Sequence, residues 1–466
     1  MTNARRSIRV LTLAAVAALA APLLTGLVAT ADPAPADVAI EPAPAVTLPP
    51  EFDDFYRPAA GLVAAAEPGE ILRARAILPA FFGILHMDVD AWQLLYRTTN
   101  SHGEPIATVT TILTPRGPAP AGGRKLLSYQ IAEDSAAQYC APSYVVQSGA
   151  IPADYVNAAE ILIPIAAGLG HGWTVALPDY EGPNSAYGAS RLGAHATLDG
   201  IRAAENFAPS ELDGPATPTA LWGYSGGTIP TSFVAEIKDE YAPELNIVGT
   251  ASGGVAAADY ETLVRHNNNG VYAGLISGAF VGIATEYPEM QRVMRERVDP
   301  LGQFVLASKK VLCHPMGTSV FPGLNYMGTF QGADPLALPE IRDAIMDNSL
   351  GQRTPTVPVY IYHAQNDEII PIAGTDRIVD KYCSAGAPSV TYVREFLAEH
   401  ISGVGTHLPG AFYWIQDRLN GVPAPAGCTI TSPTTSVTDP KFAQGLSDIL
   451  PLAGQALIGH AIGTGR

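Results

Sequence analysis

Residues 223–227 read Gly223-Tyr224-Ser225-Gly226-Gly227, a G-x-S-x-G pentapeptide. The pattern arises by chance in a chain of 466 residues with 45 glycines, so its setting must give it meaning. The apolar run Pro218 to Trp222 precedes it, and Thr228 to Ile237 follows with helical spacing. Strand, sharp turn and helix are what a nucleophile elbow requires. A side chain at Gly223 or Gly227 would collide with the neighbouring strand or helix. Ser225 is thereby pushed out at the end of the sheet in a strained backbone conformation, available for nucleophilic attack. The helix N-terminus behind it favours developing negative charge.

A serine nucleophile needs a base, and the base needs an acid to orient it. On an elbow of this kind they follow in chain order, the acid and then a histidine, on turns after late strands. Val357 to Tyr362 reads as a strand running into His363-Ala364-Gln365-Asn366-Asp367-Glu368. Asp367 is the expected acid, with Glu368 beside it as the alternative. Val390 to Phe396 is the next strand, followed by His400, His407 and a helix from about Pro409 to Leu419. Both histidines then lie on the connecting loop, and His400 is nearer the strand end. The other eight, His314 and His363 among them, lie elsewhere in the topology and read as structural or exposed.

The oxyanion of an acyl-transfer intermediate needs two preorganised donors. One is the backbone N–H of Gly226, directly after the nucleophile. The other is expected from the loop Ser128 to Asp134, after an early strand. No His-Gly-Gly-Gly stretch is present, so that donor must be of another type.

The elements that must position these groups are short apolar runs separated by helical stretches. Ala107 to Leu113, Lys125 to Ile131, Trp173 to Leu177, Thr219 to Gly223, Asn246 to Thr250, Val357 to Tyr362 and Val390 to Phe396 are the expected strands. Runs apolar on consecutive positions, alternating with helices such as Ala196 to Phe207, mean a mostly parallel sheet covered on both faces. From 255 to 354 the rhythm breaks into a helical, irregular stretch. It contains Gly270 to Ala284, fifteen residues without a charge, which is short of the roughly 20 residues a membrane span needs. This stretch is expected to be a cap over the sheet. Its apolar helix is either a wall of an acyl pocket or lipid interface, or a buried structural helix.

Residues 1–31 carry Arg5, Arg6 and Arg9, an apolar run from Leu11 to Val28, and Ala29-Thr30-Ala31 as a cleavage site. This is the pattern of an export signal rather than a retained anchor, and the residues around Arg5-Arg6 match a twin-arginine signal poorly. Residues 32–50 form a Pro/Ala-rich leader expected to be extended or disordered, with the folded part beginning at Phe52. Removal of residues 1–31 takes the formal charge from −17 to −20. So acidic a chain repels nucleic acid and anionic surfaces, and no basic patch opposes this. The four cysteines, Cys140, Cys313, Cys383 and Cys428, suggest two disulfides in an exported chain, with three pairings open. No two stand at C-x-x-C spacing, so no metal site is expected.

Taken together, these stretches resemble the secretory lipase family. The resemblance rests on Ser128-Tyr129-Gln130, Glu133-Asp134, Cys140 to Tyr144, Pro178 to Pro183, Leu198 to Ala204, Gly223 to Gly227, Asn366 to Pro371, His400 and Asp417 to Cys428. It implies an α/β-hydrolase fold, a mostly parallel central sheet flanked by helices. A helical lid or cap domain (255–354) is inserted between the core segments 51–254 and 355–428. It implies a secreted lipase or esterase that needs no cofactor and acts on lipid or ester substrates at a lipid–water interface. Ser225 becomes the nucleophile, Asp367 the acid, His400 the base, and the Asp134 region with Gly226 the oxyanion hole. The resemblance also implies Cys140–Cys313 and Cys383–Cys428 as the disulfides. Residues 429–466 fall outside it; their apolar segment, Ile449 to Ile462, could pack against the core.

Overall fold

The computed structural model describes residues 38–463 except residue 333. The expected signal segment and the first part of the leader lie outside the described residues. Eleven strands among the described residues form one sheet. In chain order they are β1 (Ile40–Glu41), β2 (Ile71–Ala76), β3 (Asp90–Thr99), β4 (Pro105–Thr114), β5 (Leu126–Gln130), β6 (Thr174–Pro178), β7 (Thr219–Tyr224), β8 (Ile247–Gly253), β9 (Val359–Ala364), β10 (Ser389–Glu395) and β11 (Gly427–Thr431). Across the sheet the order is β1-β2-β3-β4-β6-β5-β7-β8-β9-β10-β11. The strands β5 to β11 pair in parallel, while β2, β3, β4 and β6 pair antiparallel in that order.

All seven expected strands are present within a few residues of their expected bounds. They are apolar because helices cover both faces of the sheet. One face carries the helices Ser190–Glu205 and Thr228–Tyr241, which bury Leu198, Ile201, Ala204, Phe233 and Val234. The other carries Tyr155–Gly170, His400–Leu419 and Pro440–Leu457, which bury Ile165, Leu169, Phe412, Ile415 and Ile449. Each such aliphatic side chain fully removed from water contributes about 1.5–3 kcal/mol before entropy is counted. The C-terminal helix thus belongs to the core, through Ile449, Ala453 and Ala456.

Two expectations about the chain's ends change. The latter part of the leader is not loose: Ile40–Glu41 pairs with β2, and Thr47 donates to the Ser148 carbonyl at 2.7 Å. Gly427–Thr431 adds an edge strand whose residues are all exposed, which is why no apolar pattern announced it.

Residues 255–354 are helical, as expected, with helices at Tyr260–Asn267, Ala273–Glu286, Pro288–Arg297, Pro300–Lys309, His314–Ser319 and Pro339–Asp347. The uncharged stretch forms Ala273–Glu286 and is buried over nearly its whole length. Its Val281 and Ala284 line a cavity of about 320 Å³ with Met294 and Leu306. Both disulfides form as the resemblance implied, Cys140–Cys313 and Cys383–Cys428. The first ties the segment after β5 to residues 255–354, and the second ties the helix Ile372–Ser384 to β11.

Candidate active site

The C-terminal ends of the parallel strands set the site. At the end of β7 the chain turns through Ser225, which holds φ at +51°, and enters the helix Thr228–Tyr241. The turn tolerates only glycine two residues to either side of the serine. A Cβ on Gly223 would lie 2.3 Å from the Gly227 carbonyl oxygen, and one on Gly227 would lie 2.0 Å from that of Gln130.

Beyond β9, Asp367 lies in the turn that leads to the helix Ile372–Ser384. Its Oδ1 accepts the backbone N–H groups of Ile369 and Ile370 at 3.0 and 2.6 Å. Its Oδ2 accepts from His400 Nδ1 at 2.8 Å and faces His363 Nε2 at 3.2 Å. His400 Nε2 in turn lies 2.8 Å from Ser225 Oγ. The imidazole can therefore take the serine proton on one side while the carboxylate holds its other N–H.

His400 does not sit on a loop. It opens the helix His400–Leu419, where Glu399 and Ser402 form a reciprocal cap. Two contacts fix its backbone: its N–H donates to Glu368 Oε2 at 2.9 Å, and its carbonyl accepts Tyr224 Oη–H at 2.6 Å. Glu368 thus holds the backbone of His400, and Asp367 holds the ring. His407 lies further along the same helix, with Nδ1 3.0 Å from the Gly403 carbonyl and Nε2 3.2 Å from Glu395 Oε2.

Electrostatics follow from burial and partners. Burial alone would raise the Asp367 carboxyl, but hydrogen bonds from His363 and His400 reverse this and hold it well below the usual range. Burial disfavours a charged His400. The hydrogen bond and charge of Asp367, with Glu368 and Asp134 behind, outweigh this and raise its pKa above the ordinary value. Ser225, His400 and Asp367 are 9%, 3% and 7% exposed, so these interactions act out of bulk water.

Asp134 faces the elbow from the loop after β5, with φ at +44°. A Cβ on Gly226 would fall 1.6 Å from Asp134 Oδ1, so the glycine admits the carboxyl to this position. That oxygen has no hydrogen-bond partner among the described residues. Burial raises the Asp134 pKa, and His314, His400 and the Tyr187 hydroxyl lower it only in part. A neutral carboxyl here is a donor; an ionised one would repel an oxyanion.

The secretory lipase family model matches residues 153–427. The chain belongs to the secretory lipase family. Across 89% of its length it is 36% identical to Lipase A of Arthroderma benhamiae, covering 89% of that protein. It is equally identical, again over 89% of its length, to a protein of Mycobacterium tuberculosis described as probable inactive lipase MT1628, covering 92% of it. The structure of Candida antarctica lipase A superposes with a TM-score of 0.80 at 27% identity, covering 90% of this chain and 98% of that one. The chain has that protein's α/β-hydrolase fold. Among its described residues no helix is long and apolar enough to cross a membrane.

Several residues of the site escaped the sequence. His363 is fully buried against Asp367; its Nε2 faces two acceptors, Asp367 and the Ile370 carbonyl at 3.0 Å, and therefore carries the hydrogen. Thr375 Oγ lies 2.9 Å from its other nitrogen. Its position four residues before the acid, at a strand end, was the available signal. Glu133 and Glu181 are buried near Asp134, and burial together with neighbouring carboxyls pushes both well above the carboxylate range. Glu181 stands in the Pro178–Pro183 stretch that carried the resemblance, but nothing local marked it as part of the site.

Proposed function

We propose that this chain is a secreted serine hydrolase of carboxylic esters, a triacylglycerol lipase, with Ser225 as nucleophile, His400 as base and Asp367 as acid. The observation that carries the reading is the unbroken relay from Ser225 Oγ through His400 to Asp367, at 2.8 Å in each step. His400 takes the Ser225 proton as Oγ attacks the ester carbonyl. Gly226 N–H and the Asp134 carboxyl, which donates when it carries its proton, hold the oxyanion. His400 gives the proton to the departing alcohol, and water then repeats the sequence on the acyl-enzyme. Every step is a proton or acyl transfer among groups of this chain, the substrate and water. Residues 255–354 act as the cap over the site, and residues 1–31 as the export signal. The paired cysteines and the family suit a protein that works outside the cell.

The test is hydrolysis of a p-nitrophenyl ester series, from acetate to palmitate, by wild type and Ser225→Ala. The lipase reading expects activity that rises with chain length and falls at least about 10⁴-fold in kcat in the variant. Activity confined to short chains makes the protein a short-chain carboxylesterase with the same chemistry. The relative described as inactive raises a second reading, a non-catalytic lipid-binding protein on a hydrolase scaffold. Stoichiometric labelling of Ser225 by a fluorophosphonate would exclude it, and failure to label would favour it.

A further inference from the structure

The loop that presents Asp134 is held largely by residues 311–314, which come from the helical insertion. Ser135 Oγ donates to the Leu312 carbonyl at 3.0 Å, and Tyr139 Oη donates to the Val311 carbonyl at 2.9 Å. Cys140 is bonded to Cys313. The Ala132 peptide, two residues before Asp134, is gripped on both sides. Its N–H donates to Glu160 Oε2 at 3.1 Å, and its buried carbonyl accepts from His314 Nδ1 at 3.0 Å. The same His314 nitrogen lies 3.7 Å from Asp134 Oδ2. The His314 backbone N–H is itself anchored, donating to Asp154 Oδ2 at 3.3 Å.

This grip falls next to a strained residue. A non-glycine residue at positive φ persists only where its surroundings over-determine it. Asp134 stands at +44°; its Oδ1, directed at Gly226, has no hydrogen-bond partner among the described residues, and the Tyr187 hydroxyl hydrogen-bonds the carboxyl. Where that carboxyl stands is set by the loop behind it, with Tyr187 holding its end. The titratable groups around the carboxyl are His314 and Tyr260 from the insertion, Tyr180, Glu181 and Tyr187 from the segment after β6, Glu133 and Glu160, and His400. Of these, His314 both faces Asp134 and clamps the peptide that aims it.

We propose that His314 is a positioning residue for the oxyanion hole: by holding the Ala132 carbonyl and flanking Asp134, it makes the insertion a structural part of the hydrolytic site. The proposal rests on the ester-hydrolase reading above. His314 touches no reacting atom. It acts through Ala132 and Asp134, and its loss lets the loop turn so that the Asp134 carboxyl leaves the position where an oxyanion forms. Misplacement by about 1 Å at such a site costs on the order of 100-fold in rate.

The experiment compares wild type, His314→Ala and His314→Asn on p-nitrophenyl butyrate, with active sites counted by fluorophosphonate. Affinity for a trifluoromethyl ketone, which forms an oxyanion on the serine, is measured alongside. The expected result for His314→Ala is a kcat lowered about 10- to 100-fold with KM within about twofold. Its ketone affinity falls by the same factor, and the count of labelled sites is unchanged. In His314→Asn the amide nitrogen stands where Nδ1 stood, and kcat returns to within about threefold of wild type. Should His314→Ala not fold, His314→Gln, whose amide lies one methylene too far, takes its place with the same expected loss. The proposal is overturned if kcat and ketone affinity stay within twofold of wild type, if the labelled fraction falls in proportion to kcat, or if Asn rescues no better than Ala. A wild type that neither hydrolyses the ester nor takes the label removes the hydrolase reading and this proposal together. An active wild type with an unaffected variant removes this proposal alone.

Discussion

The two sides of the site are built on different terms. On the acid–base side, Asp367, His363 and His400 come from the ends of β9 and β10 and from the start of the next helix, all within the sheet domain. Both Asp367 oxygens have partners, and the carboxyl is held firmly ionised. On the oxyanion side, Asp134 is strained, its Oδ1 is unpartnered among the described residues, its pKa is raised, and its loop is stapled to a segment 173 residues away. A satisfied network is rigid by itself, whereas a strained loop depends on whatever else packs against it. The acid–base side should therefore be robust to change outside the sheet, and the oxyanion side should not.

The largest effect that tests this contrast is on the acid. Asp367→Asn should lower kcat about 10⁴-fold, because the ring loses both its orientation and the charge that stabilises the imidazolium. The pH profile gives the sign. Activity needs neutral His400, and Asp367 raises its pKa, so wild-type kcat/KM should fall as pH drops through a value above about 6.5. In Asp367→Asn the residual activity should carry that limb at lower pH. A limb that stays in place would mean that His400 is not the titrating base.

A smaller loss is expected across the site. Asp134→Ala should cost about 10²–10³ in kcat, the size of one oxyanion donor. Asp134→Asn keeps a donor that cannot ionise. Ionisation of Asp134 removes its donor, so wherever wild-type kcat falls as that carboxyl ionises with rising pH, Asp134→Asn should not fall with it. If both variants show the wild-type profile, the carboxyl is not the donor.

The smallest effect on rate should come from His363→Leu. Ile369, Ile370 and His400 still hold the carboxylate, so kcat should fall less than about tenfold. Stability should fall by about 1.5–3 kcal/mol, the worth of a buried hydrogen bond to a charged group, read by urea unfolding. A rate loss as large as that of Asp367→Asn would erase the distinction drawn between the two sides.

How much could be read in advance follows the same division. Ser225 was legible because a tight elbow dictates glycines that are local in sequence. Asp367 was legible because an acid at the end of an apolar strand is a local pattern too. His400 was found from chain order, but its element was misjudged. Gly403 and Gly405 lower helix propensity, and Pro409 reads as a first turn, so 400–408 looked like loop. The helix forms there because Glu399 caps it and His407, Leu408 and Ala411 are buried. The strands β2 and β3 gave a weak signal because Arg73, Arg75, Gln93 and Arg97 interrupt their apolar positions. Arg75 is buried by pairing with Asp53 at 2.6 Å, a partner outside both strands.

By itself the sequence determined the nucleophile elbow, the order of acid and base, the parallel half of the sheet and the helical insertion. The elbow, the strands and the insertion are fixed by sterics or periodicity within a few residues, and the order of acid and base by the chain order that such an elbow imposes. Only the tertiary structure decided which carboxyls burial pushes up, which histidines face them, and that a residue from the insertion grips the Asp134 loop. These depend on burial and on contacts across more than a hundred residues, such as His314 with Ala132. A chain's local pattern carries no record of what will exclude water from it.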